Sequence, residues 1–189
     1  MKGKLILVVG PSGSGKGTLI NHIKPLFPSI RYPRSCTTRA MRDGEVDGES
    51  YYFLSVDEFK KRIDEGQFLE WAEYGGHYYG TLQSEVLPVF EQGGVALKEL
   101  EVQGARQIRQ KVEKDDLVII FISAGSWADM ETRIRSRGTM PEDELVKRRA
   151  RYDDEVSFMP EADFVIQNSI GKLDEAKAAF AGIIGSFLS

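Results

Sequence analysis

Five apolar residues, Leu5-Ile6-Leu7-Val8-Val9, run directly into Gly10-Pro11-Ser12-Gly13-Ser14-Gly15-Lys16. No other part of the chain constrains the fold as tightly. A short run that is apolar at every position is a strand covered on both faces, as in parallel sheets. The glycines let the backbone curl so that successive N–H groups point at one anion. The helix that follows adds the positive end of its dipole, and Lys16 adds a charge aimed at β- and γ-phosphates. The bland alternative is a glycine-rich turn with an exposed lysine. The strand before it, and Leu19, Ile20 and Ile23 at helical spacing after it, supply the context that the phosphate-loop motif requires. Ser12, Gly13, Ser14, Gly15, Lys16, Gly17 and Thr18 are the candidate phosphate-binding residues. The usual pattern has Ser or Thr directly after the lysine, as a Mg²⁺ ligand; here Gly17 stands there, with Thr18 next.

Downstream, apolar runs over 95–97, 117–122 and 164–166 read as further strands. Helical patterns cover 18–24, 56–65, 84–92, 127–136, 142–156 and 173–187. In the last of these, Leu173, Ala176, Phe180, Ile183, Ile184 and Phe187 share one face. Strands alternating with helices predict an α/β fold with a largely parallel sheet flanked by helices. Two stretches break the rhythm. Residues 35–79 are rich in Arg, Gly, Tyr and Thr and read as a small, partly β insertion. Residues 125–151 are polar and dense in arginine, with a capping-box pattern of Thr139 and Glu142.

Composition narrows the classes. The 189 residues suffice for one domain with a full core. A net charge of −4 lacks the basic excess of a general nucleic-acid binder. The single cysteine, Cys36, excludes an internal disulfide and a Cys-cluster metal site. The N-terminal apolar run is too short for a signal-peptide core or a membrane span, which points to a cytoplasmic protein with no membrane partner.

The insertion carries its own chemistry. Arg39 and Arg42 lie three residues apart, with Tyr51 shortly after; guanidinium forks and a phenol hydroxyl suit a phosphate. Glu70, in Phe68-Leu69-Glu70-Trp71-Ala72-Glu73, is a carboxylate able to accept from both N1–H and the 2-amino group of guanine. Adenine offers no such donor pair. Ser35 and Thr81 supply hydroxyls nearby. Taken singly, the arginines read equally well as surface residues, Glu70 as the carboxylate of a helix end, and Tyr78-Tyr79 as ordinary strand aromatics.

Taken together, Thr-Thr-Arg, Gly-Glu-Val-Asp-Gly, Phe-Leu-Glu-Trp-Ala-Glu, Tyr-Tyr-Gly-Thr, Val-Gln-Gly-Ala-Arg and Arg-Gly-Thr resemble the guanylate kinase family in order and spacing, over nearly the whole chain. The resemblance implies a P-loop NTPase-type core (1–34, 84–124 and 152–189), a nucleoside-monophosphate-binding insertion (35–83) and a helical lid (125–151). It implies ATP with Mg²⁺ as phosphoryl donor and GMP as acceptor. By position, Ser35, Glu70 and Thr81 would meet the guanine. Arg39, Arg42, Tyr51 and Tyr79 would hold the GMP phosphate, and Asn168 would lie near the adenine. Glu101 aligns with a family aspartate near the acceptor and Glu99 with a nearby acidic position, one of them serving the metal's water shell. Of the lid arginines 133, 135, 137, 148, 149 and 151, the resemblance singles out Arg137 and Arg148 as closing over the triphosphate. Lys16, Arg42, Arg137 and Arg148 are thus the catalytic set, with no histidine base; His77 reads as structural or surface.

The chain departs from the family at Gly17, at Lys98 (an apolar strand position), at Glu101 for aspartate and at Met41 for a frequent proline. Cys36 stands in the acceptor segment, which predicts sensitivity to thiol reagents. Two other readings fit parts of the pattern. One is a related kinase whose acceptor is ribose 1,5-bisphosphate; the other is a non-catalytic, guanylate-kinase-like module that binds a protein. Retention of Glu70, Tyr79 and Thr81 speaks against the first, and the intact loop and lid arginines against the second. Oligomeric state is not legible.

Overall fold

A computed structural model describes residues 3–136 and 141–188. In chain order its elements are β1 (Lys4–Val9), α1 (Lys16–Ile23), β2 (Ser35–Thr37), β3 (Tyr52–Phe53), α2 (Val56–Asp64), β4 (Phe68–Tyr74), β5 (His77–Leu82), α3 (Leu87–Glu91), β6 (Val95–Glu99), α4 (Val102–Arg109), β7 (Leu117–Ser123), α5 (Trp127–Arg135), α6 (Glu142–Ser157), β8 (Phe164–Gln167) and α7 (Leu173–Gly185).

The expected parallel sheet is present, in the order β6-β1-β7-β8. Leu5–Val9 of β1 and Leu117–Ile122 of β7 are apolar at every position because both faces of these inner strands are covered. Ile6 and Val8 of β1 point to one side with Leu19, Ile23, Phe180 and Ile184 of α1 and α7. Leu5, Leu7 and Val9 point to the other, with Ala105 and Ile108 of α4. All seven residues of β7 are buried, and truncating Phe121 to Ala would cost about 3–5 kcal/mol in transfer and cavity terms. β1 lies in the interior of this sheet, so the glycine loop leaves from its middle.

A second sheet, ordered β3-β2-β5-β4, is built by the insertion. β2 runs parallel to β3, while the β2–β5 and β4–β5 pairs are antiparallel. Cys36, Phe59, Phe68 and Leu82 form its small core against α2, with the Phe59 and Phe68 rings stacked at 4.3 Å.

Several local expectations are corrected. Glu70 lies within a strand and not at a helix end. The helix expected over 84–92 divides at Val86 into a 3₁₀ turn, Gln83–Glu85, and α3, because Pro88 in the first turn lacks an N–H and suits a helix start. α4 was not foreseen, although Val102, Ala105 and Ile108 bury one face of it. Thr139 lies outside the described residues, and Pro141 precedes the first residue of α6 without a side-chain cap. A capping box is present in α5, between Ser126 and Asp129. Cys36 is fully buried, and burial pushes its thiol up to about 11, which argues against thiol-reagent sensitivity.

Candidate active site

α1 starts on Lys16 itself, two residues earlier than the spacing suggested. Gly10, Gly13 and Gly15 have φ of 137°, 89° and 95°, backbone that L-side chains rarely adopt. The Lys16 ammonium donates to the carbonyls of Gly10 (2.7 Å) and Pro11 (3.2 Å) and lies 3.8 Å from Glu99 Oε1. Asn168, 4% exposed, donates its side-chain amide to the Ser14 carbonyl at 2.7 Å. A side chain on Gly15 would overlap that amide. The Ser14 hydroxyl is fully buried and has no hydrogen-bond partner among the described residues.

Gly17 and Thr18 are both exposed on the first turn of α1. A β-carbon at position 17 would sit 3.8 Å from Glu99 Oε2, so a carboxylate faces the place that a hydroxyl usually takes. Glu101 is the exposed N-cap residue of α4. Glu155 reaches the same loop from α6. Burial raises its carboxyl to about 7, opposed by Lys16 and by a hydrogen bond from the Ser12 N–H, while Glu101 reinforces the rise.

Across the cleft, three predicted residues fall on one rung of the second sheet. Ser35 on β2 is paired with Thr81 on β5, and Thr81 with Glu70 on β4. Glu70 is 5% exposed and accepts the Thr81 hydroxyl at 2.6 Å. Burial raises its carboxyl above the ordinary range, with Thr81, Lys98 and Lys111 pulling the other way. Glu70, Ser35, Tyr51 and Tyr79 line a cavity of about 270 Å³. A larger cleft of about 850 Å³ is bordered by Lys16 and Gly17 on one side and by Ser35 and Tyr51 on the other.

Arg39 is gripped by Glu45 through both guanidinium nitrogens, at 2.8 and 3.0 Å, and stacks over the Tyr51 and Phe53 rings. The Tyr51 and Tyr79 rings meet edge-on at 6.3 Å. Glu45 also accepts the Arg42 backbone N–H, and these bonds, the Arg39 guanidinium foremost, hold its carboxyl down at about 2. The Arg42 residue itself is exposed.

The arginines of 125–151 divide. Arg135 pairs with Glu131 and Glu142, and Arg149 with Asp153 while stacking over Trp127, as solvated helix faces do. Arg133 donates to the Asn168 carbonyl, and Arg151 to the Tyr74 hydroxyl with its guanidinium over that ring. Arg148, paired with Glu144, borders a cavity of about 680 Å³ together with Pro11, Ser12 and Glu155. Arg137 lies outside the described residues.

The family model described as guanylate kinase matches residues 2–186. The chain belongs to the guanylate kinase family. Its relatives include the guanylate kinase of Thermosynechococcus vestitus, 45% identical over 88% of this chain and 86% of that one. That of Trichormus variabilis is 42% identical over 96% and 87%. The crystal structure of guanylate kinase from Anaplasma phagocytophilum superposes with a TM-score of 0.73 at 25% identity, covering 98% of this chain and 86% of that one.

Within this guanylate kinase fold the structure also brings in residues that the motifs did not. Glu45 belongs to Gly-Glu-Val-Asp-Gly, and its acidic side chain close to two arginines is the signal the sequence offers. Gly104 belongs to Val-Gln-Gly-Ala-Arg, and its bare α-carbon makes room for Glu70. Glu155 left no trace beyond being one of several acids near the lid arginines. Lys98 was seen only as a departure: it is 7% exposed, and burial lowers its ammonium to about 8.

Proposed function

We propose that this chain transfers the γ-phosphoryl group of ATP to GMP, giving ADP and GDP. The observation that carries the reading is the rung of Ser35, Thr81 and Glu70, set in a cavity that opens toward the phosphate loop. A buried carboxylate, with two oxygens and several acceptor sites, suits the N1–H and 2-amino donors of guanine. Adenine would leave that carboxylate unmatched, a costly state in a buried site.

In this reading 35–83 is the GMP-binding insertion, 125–151 the lid, and the remainder the core. Arg39, Arg42, Tyr51 and Tyr79 hold the acceptor phosphate, with Thr81 acting through Glu70. Asn168 sets the loop by holding Ser14, on the side where the adenine of ATP would lie. The acceptor phosphate has a second pKa of about 6, so its oxygen is anionic at neutral pH and needs no general base. That oxygen forms the new bond to the γ-phosphorus as the bond to the β–γ bridging oxygen breaks, and ADP leaves. Lys16, the loop N–H groups, Arg148 and, by resemblance, Arg137 neutralise the charge on the transferring group. Closure of lid and insertion excludes water, which would otherwise compete as acceptor.

The residues present fit Mg²⁺. That ion takes one or two carboxylates plus substrate phosphates and keeps its waters, so it needs no protein cage. Among the described residues no cluster of three or more His, Cys, Asp or Glu forms such a cage. Glu99, beside Lys16 and Gly17, and Glu101 would hold its water shell. The ion would supply charge neutralisation on the phosphates. No helix among the described residues is long and apolar enough to cross a membrane.

The test is a coupled ADP-release assay with ATP and Mg²⁺ against GMP, dGMP, AMP, UMP and ribose 1,5-bisphosphate. Strong turnover with GMP and little with AMP supports the reading. An inert GMP beside an active alternative acceptor overturns the acceptor assignment, and ATP binding without any turnover overturns the catalytic one.

A further inference from the structure

We propose that Lys98 fixes the hydrogen-bond polarity of Ser35, and so acts as a positioning residue in the choice of guanine over adenine; this rests on the GMP reading above. Lys98 belongs to β6, where its backbone is paired with Leu7 of the central sheet. Its side chain leaves that sheet and crosses to the start of the insertion. There the ammonium donates to the Pro33 carbonyl at 2.8 Å and to Ser35 Oγ at 2.6 Å. A buried ammonium is costly unless it is bonded, and these two acceptors hold it.

An ammonium has three donors and no acceptor, so in this pair Ser35 can only accept. The hydroxyl proton of Ser35 is repelled by the same charge and turns away from it, toward the cavity that Ser35 shares with Glu70. The charge also makes the hydroxyl a better donor and a poorer acceptor. The rung therefore offers a donor at Ser35 and an acceptor at Glu70. Guanine presents the complement, an acceptor at O6 beside a donor at N1. Adenine presents the reverse, an amino donor at N6 beside an acceptor at N1. With an apolar side chain at position 98 the Ser35 hydroxyl would be free to rotate and to accept from an adenine amino group. Lys98 removes that option.

The test compares wild type, Lys98→Met, Ser35→Ala and the double variant, measuring kcat and KM for GMP and AMP, with ATP affinity by calorimetry as the control for folding. Met matches the length of the lysine stem and carries no donor. The expected result is a fall of about tenfold in the GMP-to-AMP ratio of kcat/KM for Lys98→Met, mostly through the KM for GMP. Ser35→Ala should fall by a similar factor, and the double variant no further than the larger single one. A ratio within twofold of wild type in a Lys98→Met protein that binds ATP normally overturns the proposal, as do single effects that multiply.

A second measurement leaves Lys98 in place. Ser35→Ala should weaken IMP, which keeps O6 and N1–H, about as much as GMP, and should leave AMP unchanged or improved. Equal losses for IMP and AMP would mean that Ser35 is no fixed donor. Wild type inert toward GMP overturns the functional reading and this inference together. Wild type active with an unmoved ratio overturns the inference alone.

Discussion

The bare α-carbon of Gly104 on α4 leaves the space that the Glu70 carboxylate occupies: a β-carbon there would lie 2.9 Å from Oε2 and 3.4 Å from Cδ. Gly104→Ala should therefore displace the carboxylate. Alanine improves helix propensity by up to about 1 kcal/mol, so the melting temperature should change little. The KM for GMP should rise about tenfold or more, with ATP affinity unaffected. A variant with wild-type KM for GMP would show that the pocket yields elsewhere.

Glu70→Gln replaces one acceptor oxygen by a donor in the buried rung. One guanine donor then loses its partner, and the expected fall in kcat/KM for GMP is about 10- to 100-fold. AMP should gain relative to GMP. Steady-state kinetics with both nucleotides would expose an unchanged ratio and refute the assignment.

Lys16→Met removes the ammonium that bridges the loop carbonyls of Gly10 and Pro11. Turnover should drop by about 100- to 1,000-fold, the scale seen when one donor to a developing charge is removed. Full turnover in the variant would show that another cation serves the phosphates.

The unliganded protein should show a pH-dependent stability traceable to Glu155. Its folded carboxyl titrates at about 7, above the ordinary value of 4.5. Between those values the folded protein keeps a proton that the unfolded chain releases, so stability falls as pH rises through that window. Glu155→Gln should flatten this slope and be the more stable protein above the upper value. Thermal melts across the range, in the absence of nucleotide and Mg²⁺, decide it; parallel curves for the two proteins would remove Glu155 as the cause.

Cys36 should resist alkylation in the native protein and react fully in denaturant, because its thiol is both buried and raised to about 11. Mass spectrometry of the native protein after exposure to iodoacetamide is the check, and rapid modification at neutral pH would contradict the packing around β2.

What could be read from residue order was what residue order encodes locally. The wholly apolar runs of β1 and β7 announced a sheet covered on both faces, and the glycine spacing announced the loop. Glu70, Ser35 and Thr81 were picked by type and by resemblance; that they share one rung is a matter of strand register between segments far apart in the chain. Lys98 shows the limit most clearly. Its strand was foreseen, but its ammonium reaches a serine 63 residues earlier, and no local pattern carries that distance. Arg39 was picked as a phosphate ligand by type and spacing, and neither carries its pairing with Glu45, which depends on how residues 39–45 fold back on themselves.

The wall behind the glycine loop is assembled from both ends of the chain. β1 takes its neighbours from β6 and β7, and Ser14 is held by Asn168, 154 residues later. A ribosome thus delivers the loop long before its buttress. A nascent chain halted before β8 has the glycines and Lys16 but not the amide that holds the Ser14 carbonyl. The braced form of the loop is completed only once β8 has docked and Asn168 has reached Ser14.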